Sequence, residues 1–404
     1  MTFNNFFIPI LVVYFSTPLL VSVTTASDHR RWDSPKDRGY LDLVAWVTSH
    51  GGRVDDRMAI TNRDGIRGVI ALSDIEEGAE LLHCPWELVI GSSGIQDQMQ
   101  TEDDMCNVVK IMASEVRLGD KSTGWPYLHY IELPRLGSMW GQAAVDELQG
   151  LPPSQELDRH LQWFSMNCDG GDPSNFDDAT IHALVAFISR ASEVGMVPIY
   201  DLLNHHNGEK NAKLFLTETG VDLRTVRPVQ RHQQLYLSYG LKTSFQMYRD
   251  YGFVESWPSL WSFRDAVTHD NHVFALFPDG IAAVHPSSEF LKEIWNGGNR
   301  SMLESQSYAK NFTMSRNKDQ LDRFVQSAKA KLDGLPTTWE EDKEILRRKK
   351  DELQMVSTSG SSQSNIVLED IMGAVQYRLA FKQAVLEALV SAEAAMIKEL
   401  EMEL

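Results

Sequence analysis

Side chains able to do chemistry concentrate in two short stretches of this 404-residue chain. The first runs Met196-Val197-Pro198-Ile199-Tyr200-Asp201-Leu202-Leu203-Asn204-His205. The second is Leu237-Ser238-Tyr239-Gly240, continuing to Tyr251-Gly252-Phe253-Val254. A tyrosine hydroxyl stays neutral near pH 7, so Tyr239 and Tyr251 can orient a reacting group without placing a charge beside it; tyrosines buried in a strand or helix core leave the same trace. Asp201 and His205 stand four apart, a spacing that on a helix shares a face and could bind a metal. His206 follows, yet no nearby His or Cys supplies a third ligand at recognisable spacing, so a core or capping histidine accounts for the pair and no metal is expected. Arg190, in Ser189-Arg190-Ala191, carries a planar fork of donors suited to a carboxylate; a cation complementing a helix C-terminus is the other reading.

The elements that must position these residues fall into three zones. Between Leu41 and Ile90 short apolar runs alternate with turns, and Val69-Ile70-Ala71-Leu72 and Ala79-Glu80-Leu81-Leu82 are predicted strands around a Glu76-Glu77-Gly78 turn. From about Gly91 to Arg190 the periodicity is helical, with Val108, Ile111, Met112 and Val116 on one face and a denser run of His182, Leu184, Val185, Phe187 and Ile188. After Ser256, short strands such as His272-Val273-Phe274-Ala275-Leu276 give way to long helices. Leu321, Phe324, Val325, Ala328 and Leu332 mark one face; Leu368, Ile371, Met372, Val375, Leu379, Leu386 and Leu389 mark another. Ser357 to Ser364 reads as a link between helices.

Composition narrows the function classes. With 43% hydrophobic and 23% charged residues the chain can bury a large core, enough for two domains or one with a large insertion. A formal charge of −18 argues against nucleic acid as partner. It suits a basic protein partner and equally a merely soluble surface. Cys84, Cys106 and Cys168 are widely spaced with no CxxC pair, which indicates no structural zinc and at most one disulfide. Met1 to Ser27 carries no charged side chain. Its apolar stretch from Phe6 to Val23, then Thr24-Thr25-Ala26 and Asp28-His29-Arg30-Arg31, reads as a secretory signal peptide cut near Ala26, without the usual basic start. An uncleaved anchor, opposed by Pro9 and Pro18, and the first half of a bipartite plastid address are the alternatives. Sequons at Asn299-Arg300-Ser301 and Asn311-Phe312-Thr313 would be glycosylation acceptors on a secretory route.

The ordered set of motifs resembles the SET-domain protein methyltransferases. Gly65-Ile66-Arg67-Gly68-Val69-Ile70-Ala71, then Asp74-Ile75-Glu76-Glu77-Gly78-Ala79-Glu80-Leu81-Leu82 and Pro85-Trp86-Glu87-Leu88, is similar to the first SET segment, and the two stretches above to the later ones. Gly124-Trp125-Pro126-Tyr127-Leu128, Leu133-Pro134, Trp140 and Leu148-Gln149-Gly150 resemble the insertion of the Rubisco large-subunit methyltransferase branch. Leu335-Pro336-Thr337-Thr338, Glu340-Glu341-Asp342, Tyr377-Arg378 and Lys382 resemble its C-terminal helices. The resemblance covers roughly residues 40 to 390.

It implies an α+β fold: a SET-domain β-rich core of short twisted strands with a helical insertion, plus an all-α C-terminal substrate-binding domain. The implied boundaries are 1–26 for the leader, 36–255 for the SET domain with its insertion at about 91–190, and 256–404 for the C-terminal domain. The implied activity is methyl transfer from S-adenosylmethionine to a lysine of a protein substrate. Free lysine titrates at about 10.4, so the amine must lose a proton to react. The resemblance assigns Gly65, Ile66, Arg67, Gly68, Arg190, Asn204 and His205 to the cofactor. It assigns Ser189, Asp201 and Tyr251 to the substrate, and the catalytic role to Tyr239, whose hydroxyl would face the reacting methyl and amine. Ile66 stands where the family often has glycine. Histidine methylation on the same scaffold, an inactive SET module that binds protein, and a metal-dependent hydrolase are the competing functions.

Overall fold

The computed structural model describes residues 38–403 apart from 64–65, 92–93, 95–98, 100, 152–156, 170, 256, 266, 292–301, 315–317 and 358–361. The leader, Gly65, the Asn299 sequon and the middle of the Ser357 to Ser364 link, residues 358–361, therefore lie outside the described residues. Helix α1 (Arg38–Ser49) buries Tyr40, Leu43 and Val47 at helical spacing. Strands β1 (Arg53–Val54), β2 (Met58–Arg63), β3 (Ile66–Ala71) and β4 (Glu80–Pro85) follow, then the helices α2 (Glu102–Leu118), α3 (Trp125–Leu128), α4 (Gln142–Glu147), α5 (Arg159–Phe164) and α6 (Asp178–Arg190). The chain returns to β structure with β5 (Asn204–His205), β6 (Ala212–Leu216), β7 (Gly220–Thr225) and β8 (Gln234–Leu237), then helix α7 (Ser244–Tyr251). Three strands, β9 (Ser259–Arg264), β10 (Asn271–Leu276) and β11 (Ala282–Val284), precede helices α8 (Met302–Met314), α9 (Lys318–Asp333), α10 (Trp339–Ser357) and α11 (Ser362–Glu403). The region after residue 256 is thus helical only beyond its opening sheet.

Among the described residues three small sheets result, with strand orders β1-β4-β7-β6, β2-β3-β8-β5 and β11-β10-β9. Strands β3 and β4 form where the sequence predicts strands, but they do not pair with each other: β3 lies between β2 and β8, β4 between β1 and β7. The Glu76-Glu77-Gly78 turn carries the chain from one sheet to the other, anchored where Gly78 N donates to Thr225 O and Ile75 bridges Val229. Both faces of β7 are covered, so Asp222 is buried, and it meets the buried His83 across the β4–β7 pair at 2.6 Å. That pairing offsets the cost of removing two polar groups from water.

The insertion helices α2 and α6 share the first core with these two sheets. Helix α2 opens with a reciprocal cap between Thr101 and Asp104 and three acidic residues in its first turn, the arrangement that satisfies free N–H groups and the helix dipole. Val108 and Met112 are buried, whereas Ile111, expected on the same face, is 48% exposed. A disulfide joins Cys106 on α2 to Cys168, 62 residues later, and Cys84 is a buried thiol whose pKa burial pushes up to about 12.

A second core gathers Trp261, Phe263, Phe274 and Leu276 of the third sheet, Leu321, Phe324 and Ala328 of α9, and Tyr377, Phe381, Val385 and Leu389 of α11. Leu148, Leu151 and Leu157 of the insertion and Tyr248 of α7 join it, and Tyr248 stacks on Tyr377 with ring centres 4.6 Å apart. Arg135 clasps Asp370 through two hydrogen bonds of 2.8 and 2.7 Å, a second tie between insertion and α11. Leu386, expected on the packed face of α11, is 44% exposed. Among the described residues no helix is long and apolar enough to cross a membrane.

At the base of α10 the motif residues of the C-terminal region converge. Asp342, fully buried, accepts from Arg378 Nη2 and Lys382 Nζ, each at 2.6 Å, and from Thr337 Oγ1 at 2.6 Å; Arg378 also reaches Glu147 of α4 at 3.0 Å. Burial alone would raise the Asp342 carboxyl, but these donors hold it below the usual range. Removing one partner from such a cluster leaves buried charge uncompensated. Asp342→Ala is expected to cost about 3–5 kcal/mol of stability, read as a lower urea midpoint. A loss below about 1 kcal/mol would mean the cluster behaves as a solvated surface pair.

Candidate active site

The two sequence motifs meet through β5 and β8. Asn204 and His205 lie parallel to Tyr236 and Leu237, and His206 N donates to Leu237 O at 2.9 Å. The segment before them is a 3-10 turn, Tyr200–Leu202, and not an α-helix. Asp201 and His205 therefore share no helix face, which removes the premise of a metal pair. Both His205 nitrogens are engaged: Nδ1 accepts from Tyr239 N at 2.9 Å and Nε2 donates to Glu255 Oε1 at 2.7 Å. Among the described residues no three His, Cys, Asp or Glu side chains gather as a metal site. Ile199, which leads into the turn, has φ of +70°, an outlier for a β-branched residue, and it is held there by complete burial.

Tyr239 sits at the centre. Its backbone is tied to His205, its hydroxyl donates to Leu203 O at 2.8 Å, and its ring lies 5.0 Å from His205 and 4.7 Å from Tyr251. Tyr251 is the last residue of α7. A reciprocal Thr243–Gln246 cap starts that helix, and Gly252, with φ of +81°, ends it in the left-handed conformation that glycine adopts without strain. The chain can then fold Phe253 back to within 6.2 Å of Tyr251 and 6.3 Å of His205. Asp250 fixes the helix from the other side, meeting His160 of α5 at 2.7 Å and Arg249 at 2.6 Å. Lys242 Nζ stands 5.6 Å over the Tyr251 ring. Burial raises the hydroxyl pKa of Tyr200, Tyr239 and Tyr251, with Asp201 contributing at Tyr200 and Tyr239 and Asp250 at Tyr251. All three stay protonated through the neutral range.

Asn204 faces β3. Its Nδ2 donates to Arg67 O at 2.7 Å, and a Cβ on Gly68 would press on Gln234 and lie 2.9 Å from Asn204 Nδ2, so the close approach of these segments depends on Gly68. Ile66 is 63% exposed. The Arg67 guanidinium rests 4.8 Å over the Tyr130 ring and 3.6 Å from Glu132. The β2–β3 pair closes at Arg63 opposite Ile66, so this segment is a hairpin in its local pairing.

Arg190, at the end of α6, donates Nη1 to Asp201 O at 2.9 Å and Nη2 to Glu132 O, and stands 3.7 Å from Asp201 Oδ2. Asp201 is fully buried and accepts from Tyr127 at 3.1 Å. Burial raises its carboxyl, opposed by Arg190 and Tyr127. Asp201 Oδ1 and Arg190 Nε have no partner among the described residues. Ser189 does not join the cluster: it is buried and its hydroxyl donates to Val185 O one turn back in α6, a local bond helical serines commonly make. Tyr127 and Tyr200 stand within the motif segments without an assigned role, and Asn207 and Glu255 lie outside them. Tyr200 and Glu255 lie within or directly after the two motifs, but nothing in their spacing marks them as partners.

No family model matches the chain. Among curated proteins it is similar to an N-lysine methyltransferase setd6 of Danio rerio, 24% identical over 240 residues. The match takes 48% of this chain and 51% of the relative, so the chain spans about half the length of the curated relative it matches. Among solved structures it resembles the SET domain of LSMT bound to lysine and AdoHcy, at TM-score 0.54 and 17% identity, covering 90% of this chain and 92% of that one. Rubisco LSMT bound to sinefungin and monomethyllysine matches at TM-score 0.54 and 18% identity, over 91% and 93%. The same enzyme bound to AdoMet matches at 0.52 and 16%, over 89% and 92%. Matched over about nine-tenths of its length, the chain has the SET-domain fold of the Rubisco LSMT type.

Proposed function

We propose that this protein transfers a methyl group from S-adenosylmethionine to the side-chain amine of a lysine in a protein substrate. The observation that carries the reading is the convergence on Tyr239: His205, Tyr251 and Leu203 O hold a buried, neutral hydroxyl and ring beside Asn204 and the Gly68 strand. The fold is that of enzymes solved with this cofactor class and with lysine or monomethyllysine.

The donor set fits the cofactor. Arg190 keeps a buried Nε without a partner among the described residues, and Arg67 contributes a second guanidinium, a pairing suited to an amino-acid carboxylate. Ile66, Arg67, Gly68, Asn204 and His205 would hold the adenosyl part. When bound, the cofactor supplies an electrophilic methyl on a sulfonium. Tyr239 and Tyr251 wall the reaction site, and because burial keeps their hydroxyls protonated they add no negative charge that would hold the amine as ammonium. Tyr239, its own proton committed to Leu203 O, keeps oxygen lone pairs that can orient an incoming amine. Asp201 lies beneath, its charge shielded by Arg190 and Tyr127. Positioning of this kind provides most of the rate when no bond to the protein is made.

In this reading residues 36–255 form the catalytic domain with its insertion, and residues 256–404 dock the protein substrate. We also propose a secretory or bipartite plastid destination. The Cys106–Cys168 disulfide supports it, since such bonds persist in oxidising compartments, and so does the exposed Asn311 of the second sequon.

Calorimetry should detect S-adenosylmethionine binding that Asn204→Ala with His205→Ala abolishes. Tyr239→Phe should keep binding and lose about 10²–10³-fold in kcat. Full activity in Tyr239→Phe would remove its role, and a folded parent that neither binds nor consumes the cofactor would favour the inactive module. For the compartment, protein unfolded without reductant should take up alkylating agent at Cys84 alone, and with reductant at Cys106 and Cys168 as well; three reactive thiols before reduction would argue for a reducing location.

A further inference from the structure

Directly after Tyr251-Gly252-Phe253-Val254 comes Glu255, a carboxylate buried to 6% exposure with no cation hydrogen-bonded to it among the described residues. Its Oε1 accepts from two donors, His205 Nε2 at 2.7 Å and Asn207 Nδ2. Each donor passes the constraint on. His205 Nδ1 accepts from Tyr239 N at 2.9 Å, which places the ring proton on Nε2 and fixes the tautomer. Asn207 Oδ1 accepts from Ser238 Oγ at 2.9 Å, and Ser238 Oγ accepts from Gly240 N at 3.3 Å. One oxygen atom therefore holds the residues before, at and after Tyr239 through two separate limbs. Both limbs arise from the segment 205–207 and end on 238–240, so the three chain segments that build the site share a single buried acceptor.

We infer that Glu255 is a positioning residue for the transfer site, acting on Tyr239 through His205 and Asn207. The inference rests on the methyltransferase reading for its catalytic consequence, and on geometry alone for the structural one. Oε1 does the holding; Oε2 is buried and has no partner among the described residues. What the site needs from residue 255 is thus an acceptor in this place and not a charge. Burial lowers the His205 pKa to about 3, so the imidazole remains a neutral donor at any working pH. Burial also raises the Glu255 carboxyl well above its ordinary value, which agrees with an acceptor that does not depend on ionisation.

Glutamine at this position keeps Oε1 and removes the charge; alanine removes both. The experiment compares the full chain, Glu255→Ala and Glu255→Gln in three readouts: amide hydrogen exchange across residues 236–241, the ¹⁵N signature of the His205 ring, and kcat against KM. Glu255→Ala should speed exchange at Tyr239 and Gly240, release the His205 tautomer, and lower kcat by about 10²-fold, the scale of a misplaced catalytic group, with a smaller rise in KM for S-adenosylmethionine because His205 also borders the cofactor. Glu255→Gln should recover protection, tautomer and most of kcat. Parental kcat and exchange in Glu255→Ala overturn the inference, as does a Glu255→Gln protein as impaired as the alanine variant. Where Glu255→Ala does not fold, Asn207→Ala cuts one limb, and a partial loss of kcat with faster exchange at Gly240 supports the inference while parental values sink it. A parent without turnover would count against the methyltransferase reading, and the exchange and ring measurements would still decide whether Glu255 holds Tyr239.

Discussion

Asn204 and His205 form a strand of two residues, and a strand that short has too few backbone hydrogen bonds to keep its own register. Side chains supply the rest. Asn204 reaches Arg67 O on β3, His205 takes the Tyr239 N–H on one nitrogen and gives its proton to Glu255 with the other. A register slip of one residue would exchange the two side chains between faces, sending Asn204 toward Glu255 and His205 toward Gly68, where a Cβ already has no room. The position of Tyr239, and through ring contact that of Tyr251 and Phe253, follows from this one parallel pairing.

The second core also holds α7 through Tyr248. Tyr251 ends that helix, and the helix is gripped on three sides: Asp250 by His160 of the insertion, Tyr248 by Tyr377 of α11 and Trp140 of the insertion, and Thr243 by its bridge to Leu260 of the third sheet. The C-terminal helices therefore brace the site as well as extending the surface. Asp342 with Arg378 and Lys382 shows the cost of doing so with buried charge, a device that stabilises only while every partner is present.

Much of this was legible in the sequence, for physical reasons that can be named. Helical periodicity located α2, α6, α9 and α11 because each buries a continuous stripe, and the order of the motifs located the strands and Tyr239. Local pattern could not say which strands pair: β3 and β4 are adjacent in sequence and stand in different sheets, since pairing is settled by distant partners such as Asp222 for His83, 139 residues away. Periodicity also misplaced Ile111 and Leu386, which sit at the edge of their stripes. Asp201 and His205 looked like a helical pair because spacing carries no information on whether the backbone between them is helical; Pro198 and the strained Ile199 prevent it. Glu255 left no trace as a partner because a lone glutamate is ordinarily a solvated surface group.

In the methyltransferase reading proposed above, the site has to bring a normally protonated amine to a cation without giving it a counter-ion to linger on, and the distribution of charge around Tyr239 suits that requirement. Three buried carboxyl groups near the site each have at least one oxygen engaged. Asp201 is covered by Arg190 and Tyr127, Asp250 by Arg249, His160 and Lys242, and Glu255 by His205 and Asn207. What remains beside the Tyr239 ring is aromatic surface and hydroxyls that burial keeps uncharged. A neutral amine would gain from such surroundings, and an ammonium ion would find Asp201, Asp250 and Glu255 already engaged. With Asp201, Asp250 and Glu255 engaged by Tyr127, His160 and His205, the space beside the Tyr239 ring is left to aromatic surface and protonated hydroxyls, and it is this division of polar and apolar neighbours that would let a neutral amine in that position stay neutral.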